Sequence, residues 1–161
     1  VSGYMAEQKD AQNDWEKSLN TINVNYTGVV SILNIIANDY EKNKNGFIVG
    51  VSSVAGDRGR KANYIYGSSK AAFSTYLSGL RNRLYESGVK VLTVKPGFVN
   101  TKMTANLVLP EKLTAQAEDV ANDIFNAQKK GKDILYTKSI WRLVMLIIKH
   151  IPEFIFKKMS I

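Results

Sequence analysis

Apolar residues recur at helical spacing in the first quarter of the chain. The positions that form this stripe are Leu19, Ile22, Val29, Val30, Leu33, Ile36 and Ala37. Asn13 or Asp14 can accept hydrogen bonds from the free N–H groups of a first turn that holds Trp15 and Glu16. The spacing therefore predicts one long helix that ends at about Glu41.

Three short apolar runs have the length and composition of strands. They are Gly46 to Val51, Val89 to Val94 and Asp133 to Thr137. The first follows an Asn45-Gly46 turn signal and shows little alternation of apolar and polar residues, which is typical of strands covered on both faces of a parallel sheet. The second ends at Pro96-Gly97.

Amphipathic helical patterns separate these runs. One begins near Asn63 and ends at Gly88, and another covers Glu118 to Gln128. Strands that alternate with helices predict an α/β fold with a parallel sheet, and 161 residues are the length of one domain. Met103 to Thr114, which contains several apolar residues, is expected to be a mobile loop over an apolar or amphipathic substrate.

The candidate chemistry lies between the first strand and the following helix. Ser53 comes directly after the strand, and Tyr66 and Lys70 are four residues apart, so that both lie on one helix face. A free phenol has a pKa of about 10, and a neighbouring cation lowers that pKa. We therefore expect Lys70 to tune Tyr66 for general acid–base work, while the Ser53 hydroxyl holds a substrate oxygen.

A tyrosine four residues before a lysine is weak evidence alone, because Tyr40 and Lys44 repeat the spacing at an exposed helix end. The order of strand, serine, glycine-containing loop and helix makes the pattern specific. In that loop Arg58 and Arg60 are expected to be solvated, the alternative being contact with a substrate phosphate. Ser68 and Ser69 are predicted to be small packing residues.

Four segments together resemble the short-chain dehydrogenase/reductase family. They are Val24-Asn-Tyr-Thr-Gly28, Val51-Ser-Ser-Val-Ala-Gly56, Tyr66 to Ala72, and Val94-Lys-Pro-Gly-Phe-Val-Asn-Thr101. The resemblance implies a Rossmann-like doubly wound parallel sheet. It also implies an oxidoreductase that interconverts a secondary alcohol and a ketone with NAD or NADP, and subunits that assemble into a homo-oligomer.

The resemblance also assigns roles to individual residues. Tyr66 would be the acid/base, Lys70 would tune it and bind the nicotinamide ribose, and Ser53 would orient the substrate oxygen. Asn25 would hold a water in a proton relay through Lys70. The flanking Val24 and Gly28 favour this role over the alternatives, an exposed polar residue or a buried amide with its hydrogen bonds satisfied. Pro96, Gly97, Val99 and Thr101 would bind the cofactor, the last two near its carboxamide.

The chain departs from the family pattern at its start. No glycine-rich turn for a pyrophosphate can be found in it. By the resemblance, residues 1–138 are the C-terminal portion of such a domain and residues 139–161 a basic amphipathic helical tail. We therefore expect the chain to be incomplete and inactive alone, and the choice between NAD and NADP stays open.

Composition limits the kinds of site and partner that we expect. The chain has no cysteine and one histidine, His150, which has no carboxylate neighbours at ligand spacing, so we expect no metal site and a cytoplasmic location. The net charge of +8 comes mostly from the last 33 residues and favours an anionic partner. We expect no nucleic acid, because no aromatic platform or recognition-helix pattern accompanies the charge.

The tail mixes apolar and basic residues. Its apolar run Leu143 to Ile148 is too short to span a bilayer, but Arg142, Lys149 and Lys157 beside apolar neighbours are typical of helices that lie in a membrane interface. Pro152 should divide the tail into two pieces. The sequence allows peripheral membrane contact through residues 139–161 or packing against protein.

Some family members with a similar tail act on lipid carriers, so the expected substrate is a small-molecule or lipid-linked carbonyl compound or alcohol. An alternative from another class is a non-catalytic nucleotide- or membrane-associated protein that uses the same scaffold.

Overall fold

A three-stranded parallel sheet organises the chain in the computed structural model, which describes residues 3–105 and 107–160. Its strands are β1 (Phe47–Val51), β2 (Lys90–Pro96) and β5 (Ile134–Thr137). Their order is β1-β2-β5, with Phe47 opposite Lys90 and Thr93 opposite Ile134. All three predicted strands are therefore present, and their carboxyl ends lie at one edge of the sheet.

Helices alternate with the strands along the described residues. They are α1 (Gln8–Ala11), α2 (Trp15–Ile22), α3 (Gly28–Asn43), α4 (Tyr64–Leu84), α5 (Ala117–Lys129), α6 (Ile140–His150) and α7 (Glu153–Phe156). A π-helical segment, Asn23–Thr27, joins α2 to α3. Asp14 caps α2 through a hydrogen bond from the Glu16 N–H, as predicted.

The two faces of β2 bury different helices. Val91 packs with residues of α3 and α4, including Ala37 and Leu77, whereas Leu92 packs with Ala127 of α5. Adjacent residues of a strand point to opposite faces, so both faces of the sheet are covered. The predicted α/β class with a parallel sheet is confirmed.

The segment after β2 contains structure that the sequence pattern did not predict. Two short strands, β3 (Phe98–Val99) and β4 (Thr114–Ala115), pair in parallel. The segment between them, most of which we expected to be a mobile loop over the substrate, carries 3₁₀ turns at Lys102–Thr104 and Glu111–Leu113. These strands have two residues each, too few for a period of two to be visible in the sequence.

The first helix of the tail (residues 139–161) packs along one side against the rest of the chain. In α6, Trp141 and Met145 are buried and cluster with Val54, and the helix ends before Pro152, as predicted. The opposite side exposes large apolar residues, which are Ile140, Leu143, Leu146 and Ile147 in α6 and Phe154 and Ile155 in α7. Among the described residues, no helix combines the length and apolar character that a bilayer span requires.

Helix α4 lies unusually close to the turn that follows β1. A Cβ added to Gly67 would lie 2.7 Å from the Ala55 carbonyl oxygen, and one added to Gly56 would lie 2.7 Å from the Ala71 nitrogen. Both neighbours are backbone atoms, which cannot rotate away. The two glycines therefore set the distance between the turn and the helix.

We predict opposite effects for two glycine substitutions in α4. Gly67→Ala should lower the free energy of unfolding by about 1–3 kcal/mol, because the new methyl group overpacks the contact with Ala55. Gly79→Ala should raise it by up to about 1 kcal/mol, because an added Cβ there meets nothing within 4 Å and alanine favours the helix. Chemical denaturation measures both, and equal effects would contradict the packing argument.

Candidate functional site

Ser53 lies where the chain leaves the sheet. It directly precedes a 3₁₀ turn, Val54–Gly56, and its Oγ accepts a hydrogen bond of 3.1 Å from the Ala55 N–H. Because this bond uses only an acceptor position of the hydroxyl, Ser53 keeps its O–H to donate. Its phenol neighbour is Tyr66, which lies close enough for the Ser53 hydroxyl to influence the pKa of the phenol.

Tyr66 and Lys70 both lie on α4, as predicted from their spacing. The Lys70 ammonium is buried and donates to the Val51 carbonyl oxygen over 3.2 Å. Its Nζ lies 5.7 Å from the centroid of the Tyr66 ring. Three side chains that the sequence separates by up to 17 positions thus face the carboxyl end of β1.

The prediction that Lys70 lowers the pKa of Tyr66 is wrong for this structure. Burial raises the pKa of the Tyr66 phenol above its ordinary value, and the nearby Ser53 hydroxyl opposes this only in part. Burial also lowers the pKa of Lys70 to about 8. The lysine is directed at the Val51 carbonyl, so desolvation outweighs any attraction between the ammonium and a phenolate.

Asn25 is buried within the π-helical segment, with 1% of its surface exposed. Its Oδ1 accepts from the Tyr4 N–H over 2.9 Å, and its Nδ2 donates to the Tyr4 carbonyl over 2.7 Å and to the Ser69 hydroxyl over 3.1 Å. A Cβ added to Gly3 would lie 3.8 Å from Asn25 Oδ1 and 3.9 Å from Lys70 Nζ. Asn25 and Lys70 therefore border the same small space beside Gly3.

Ser69 does more than fill space, contrary to our expectation. Its hydroxyl donates to the Tyr66 carbonyl over 2.7 Å and accepts from Asn25. It therefore links the π-helical segment to α4. Ser68, by contrast, is exposed and bonds only within its own helix turn in the described residues.

A cavity of about 800 Å³ opens beside these residues. Ser53, Tyr66 and Lys70 line it, and so do all four of the other residues predicted to bind a cofactor, Pro96, Gly97, Val99 and Thr101. Asn25 does not line this cavity; it lines a smaller one of about 230 Å³, which Lys70 also borders. Lys70 thus separates the two spaces.

Trp141 closes one wall of the large cavity. Its Nε1–H donates to the Leu113 carbonyl over 3.0 Å, and its ring packs edge-on against Phe98 with centroids 5.3 Å apart. A Cβ on Gly97 would lie 2.0 Å from this ring. The tail helix α6 therefore forms part of the site, which the sequence pattern did not reveal.

The expectation that both arginines of the loop after Gly56 are solvated is wrong. Arg58 donates to the carbonyls of Ile148 and Ile151 at 2.7 and 2.6 Å and to Glu153 Oε2 at 2.8 Å. Its guanidinium also lies over the ring of Phe156, 3.7 Å from the centroid. These contacts join residues about 90 positions apart, so local sequence gives no sign of them.

Arg60 is half-buried and lines the large cavity together with Asn63. Burial lowers the pKa of its guanidinium, an effect that the charge of Asp57 opposes. For Arg60 the sequence had left contact with a substrate phosphate as the alternative to a solvated surface, whereas Asn63 had been noted only as the start of the helix.

Comparison with known proteins identifies the family. Residues 2–112 match the family described as short chain dehydrogenase. An uncharacterized oxidoreductase of Mycobacterium tuberculosis is 32% identical over 157 residues, which cover 98% of this chain and 63% of that protein. Dehydrogenase/reductase SDR family member 7B of Mus musculus is 30% identical over 149 residues, 85% of this chain and 46% of that protein. The chain belongs to the short-chain dehydrogenase/reductase family.

A solved structure has a similar fold. The short chain dehydrogenase from Burkholderia cenocepacia, determined in complex with NADP, superimposes with a TM-score of 0.76 at 23% identity. The match covers 85% of this chain and 58% of that one. The chain thus spans less than two thirds of the length of these relatives, and the fold likeness supports the Rossmann-like class.

The buried ammonium predicts a pH-dependent stability. Below a pH of about 8 the folded protein carries a poorly solvated Lys70 charge, and between about 8 and 10.5 the unfolded chain binds more protons at this group than the folded one. Wild type should therefore gain stability relative to Lys70→Met across that window, by up to about 1.4 kcal/mol per pH unit. Denaturation at a series of pH values without cofactor measures the difference.

The same series contains its own control. Between pH 6 and about 8 the difference in the free energy of unfolding between Lys70→Met and wild type should stay constant. In that range Lys70 is protonated in both the folded and the unfolded state. A difference that does not change up to pH 10.5 would show that burial leaves this amine unperturbed.

Proposed function

We propose that the protein is an NAD(P)-dependent oxidoreductase that interconverts a secondary alcohol and a ketone. The observation that carries the proposal is the convergence of Ser53, Tyr66 and Lys70 on one cavity of about 800 Å³ in a member of the short-chain dehydrogenase/reductase family. A cavity of this volume lies in the range of small-molecule and cofactor sites.

In the direction of reduction, Tyr66 gives a proton to the carbonyl oxygen. The raised pKa of Tyr66 keeps the phenol protonated at neutral pH, which suits a proton donor. The Ser53 O–H donates to the same oxygen and holds it beside the phenol. As the proton arrives, the C=O double bond becomes a C–O–H single bond, and the carbonyl carbon accepts an electron pair with a hydride.

The residues around the cavity fit a nicotinamide cofactor, which would supply that hydride when bound. The Lys70 ammonium and the Thr101 side chain line the same space and can bond to ribose hydroxyls and a carboxamide. Gly97 carries no Cβ, so the Trp141 ring packs directly on the Gly97 backbone and forms that part of the wall. The similar fold from Burkholderia cenocepacia was determined with NADP, which supports NAD(P) as the cofactor here.

Removal of one oxygen atom tests the proton donor. Tyr66→Phe should lower kcat/KM for ketone reduction by about 10² to 10⁴-fold, the usual contribution of a positioned general acid, with cofactor affinity and the unfolding midpoint little changed. Steady-state kinetics of the full-length protein with NADPH or NADH measures the loss.

Tyr64→Phe is the matched control, because Tyr64 is exposed, lies two residues before Tyr66 on α4 and does not line the cavity. It should keep the activity of wild type. Turnover by Tyr66→Phe equal to that of wild type would remove the assignment. Cofactor binding without turnover of any ketone or alcohol would favour the alternative, a non-catalytic nucleotide-binding protein.

The proposed activity belongs to the whole protein. This chain spans 63% of its Mycobacterium tuberculosis relative, and we propose that the chain alone is incomplete and inactive. We also propose a homo-oligomer, which the exposed Ile32 and Ile35 on α3 support.

We further propose that the exposed side of α6 and α7 contacts an anionic membrane surface. Residues 138–160 contain five basic side chains and one acidic one, Glu153, and Glu153 already pairs with Arg58. A broad exposed apolar surface beside uncompensated positive charge matches the composition of helices that lie in a lipid headgroup region. Arg58 holds both helices in place, so this surface is preformed.

Point substitutions test the membrane proposal better than truncation, because loss of α6 would remove Trp141 from the cavity wall. The double variant Leu143→Glu, Ile147→Glu should lose at least about tenfold in affinity for vesicles of phosphatidylcholine with 30% phosphatidylglycerol, since both apolar contact area and charge attraction fall. Vesicle sedimentation at low and high salt measures binding.

Tyr85→Glu is the control, because it places a glutamate at an exposed aromatic residue just after the end of α4. It should bind vesicles like wild type. Unchanged binding by the double variant, or a change only in sedimentation of the protein without vesicles, would refute the membrane proposal; the second result would assign the surface to a subunit interface.

A further inference from the structure

Two buried polar atoms belong to cavity-lining residues that lie between Ser53 and Tyr66 in the sequence. Arg60 Nε and Asn63 Oδ1 are both inaccessible to solvent, and neither has a hydrogen-bond partner among the described residues. Both residues line the cavity. Buried polar groups in folded proteins are almost always paired, because an unpaired one loses its bonds to water without replacement. A ligand in the cavity cannot reach these two atoms either, so contact with it would be made by the other polar atoms of the two residues, the terminal nitrogens of Arg60 and Asn63 Nδ2, which are donors.

The nearest acidic residue on the same loop already has other partners. Asp57 Oδ1 forms an ion pair with Lys95, and Oδ2 accepts a hydrogen bond of 2.7 Å from the Tyr136 hydroxyl. Its side chain is 2% exposed. Burial lowers the pKa of Arg60 despite the charge of Asp57. Asp57 therefore does not serve as the counterion of Arg60.

The charged residues that line the cavity are all basic among the described residues. Its lining includes Arg60, Lys70 and Lys102, and no aspartate or glutamate among the described residues. Much of the remaining surface is apolar, as at Met5, Val54, Leu107, Ile124 and Trp141. A ligand that complements this wall has an apolar body and carries negative charge.

We propose that Arg60 binds an anionic oxygen group, a carboxylate or a phosphate, of an otherwise apolar substrate whose reacting oxygen lies at Ser53 and Tyr66. This inference deepens the proposed function and rests on it for the reacting end of the substrate. A guanidinium presents paired N–H donors that match the two oxygens of such a group. Asn63 also lines the wall, where its Nδ2 can donate to the same group; its buried Oδ1 is an acceptor and takes no part.

Binding of decanoate, decyl phosphate and decanamide tests the proposal without relying on turnover. Calorimetry with the full-length protein, saturated with NADP, should show at least one anion binding about 10- to 100-fold more tightly than the neutral amide, the range for a hydrogen bond to a charged group. Comparison of the two anions distinguishes carboxylate from phosphate. Arg60→Gln should abolish the preference for the anion.

Lys61→Gln is the matched control, because it removes the same charge from an exposed neighbour that does not line the cavity. It should keep the preference of wild type. Arg60→Lys should keep part of it, since charge remains and the paired donors are lost. Equal binding of anion and amide to wild type, or a preference that survives in Arg60→Gln, would overturn the proposal. So would a loss of NADP affinity in Arg60→Gln with decanoate binding unchanged.

Turnover separates this proposal from the function on which it rests. A series of oxodecanoates with the keto group at carbons 4 to 9, and the corresponding amides, should be reduced with an Arg60-dependent preference of about 10- to 100-fold in kcat/KM for the acids. Arg60-dependent binding without reduction of any member would refute the oxidoreductase and leave the anion site standing. Reduction with equal kcat/KM for acids and amides would refute the anion site and leave the oxidoreductase standing.

Discussion

The close approach of α4 to the turn after β1 determines the rest of the site. Gly56 and Gly67 permit backbone-to-backbone contact there, and this contact brings the serine at the end of the strand beside a phenol on the first turn of the helix. Side chains alone could not fix such a distance, because they rotate. Packed backbone cannot rotate in this way, and catalytic groups held by rigid elements keep their geometry.

Desolvation is the second force that shapes the site. It raises the pKa of Tyr66 and lowers that of Lys70, so both groups favour their neutral forms relative to water. Nearby on the loop after Gly56 lie a fully paired group, Asp57 with Lys95 and Tyr136, and Arg60, whose buried Nε has no partner among the described residues. The contrast between them distinguishes a cluster that maintains the fold from a residue available to a ligand.

Local patterns predicted much of this molecule. The strand at Phe47–Val51, the helix that carries Tyr66 and Lys70, and the break at Pro152 all depend on residues within a few positions of one another, and each was visible in the sequence. The predictions that failed depend on distant partners. Arg58 bonds to the tail about 90 residues away, and the orientation of Lys70 depends on the Val51 carbonyl. The protonation of Tyr66 depends on burial, which spacing does not show.

Arg58 connects two regions that the chain order separates. It bonds to the carbonyls at the end of α6 and lies two residues before Arg60, so the tail and one wall of the cavity share a single loop. Thermodynamic linkage makes such an arrangement reciprocal: any partner that binds the tail in only one loop conformation alters ligand affinity at the wall, and a bound ligand alters affinity for that partner by the same factor. A partner of that kind, bound on the outer surface of α6 and α7, would therefore be coupled to ligand binding in the cavity.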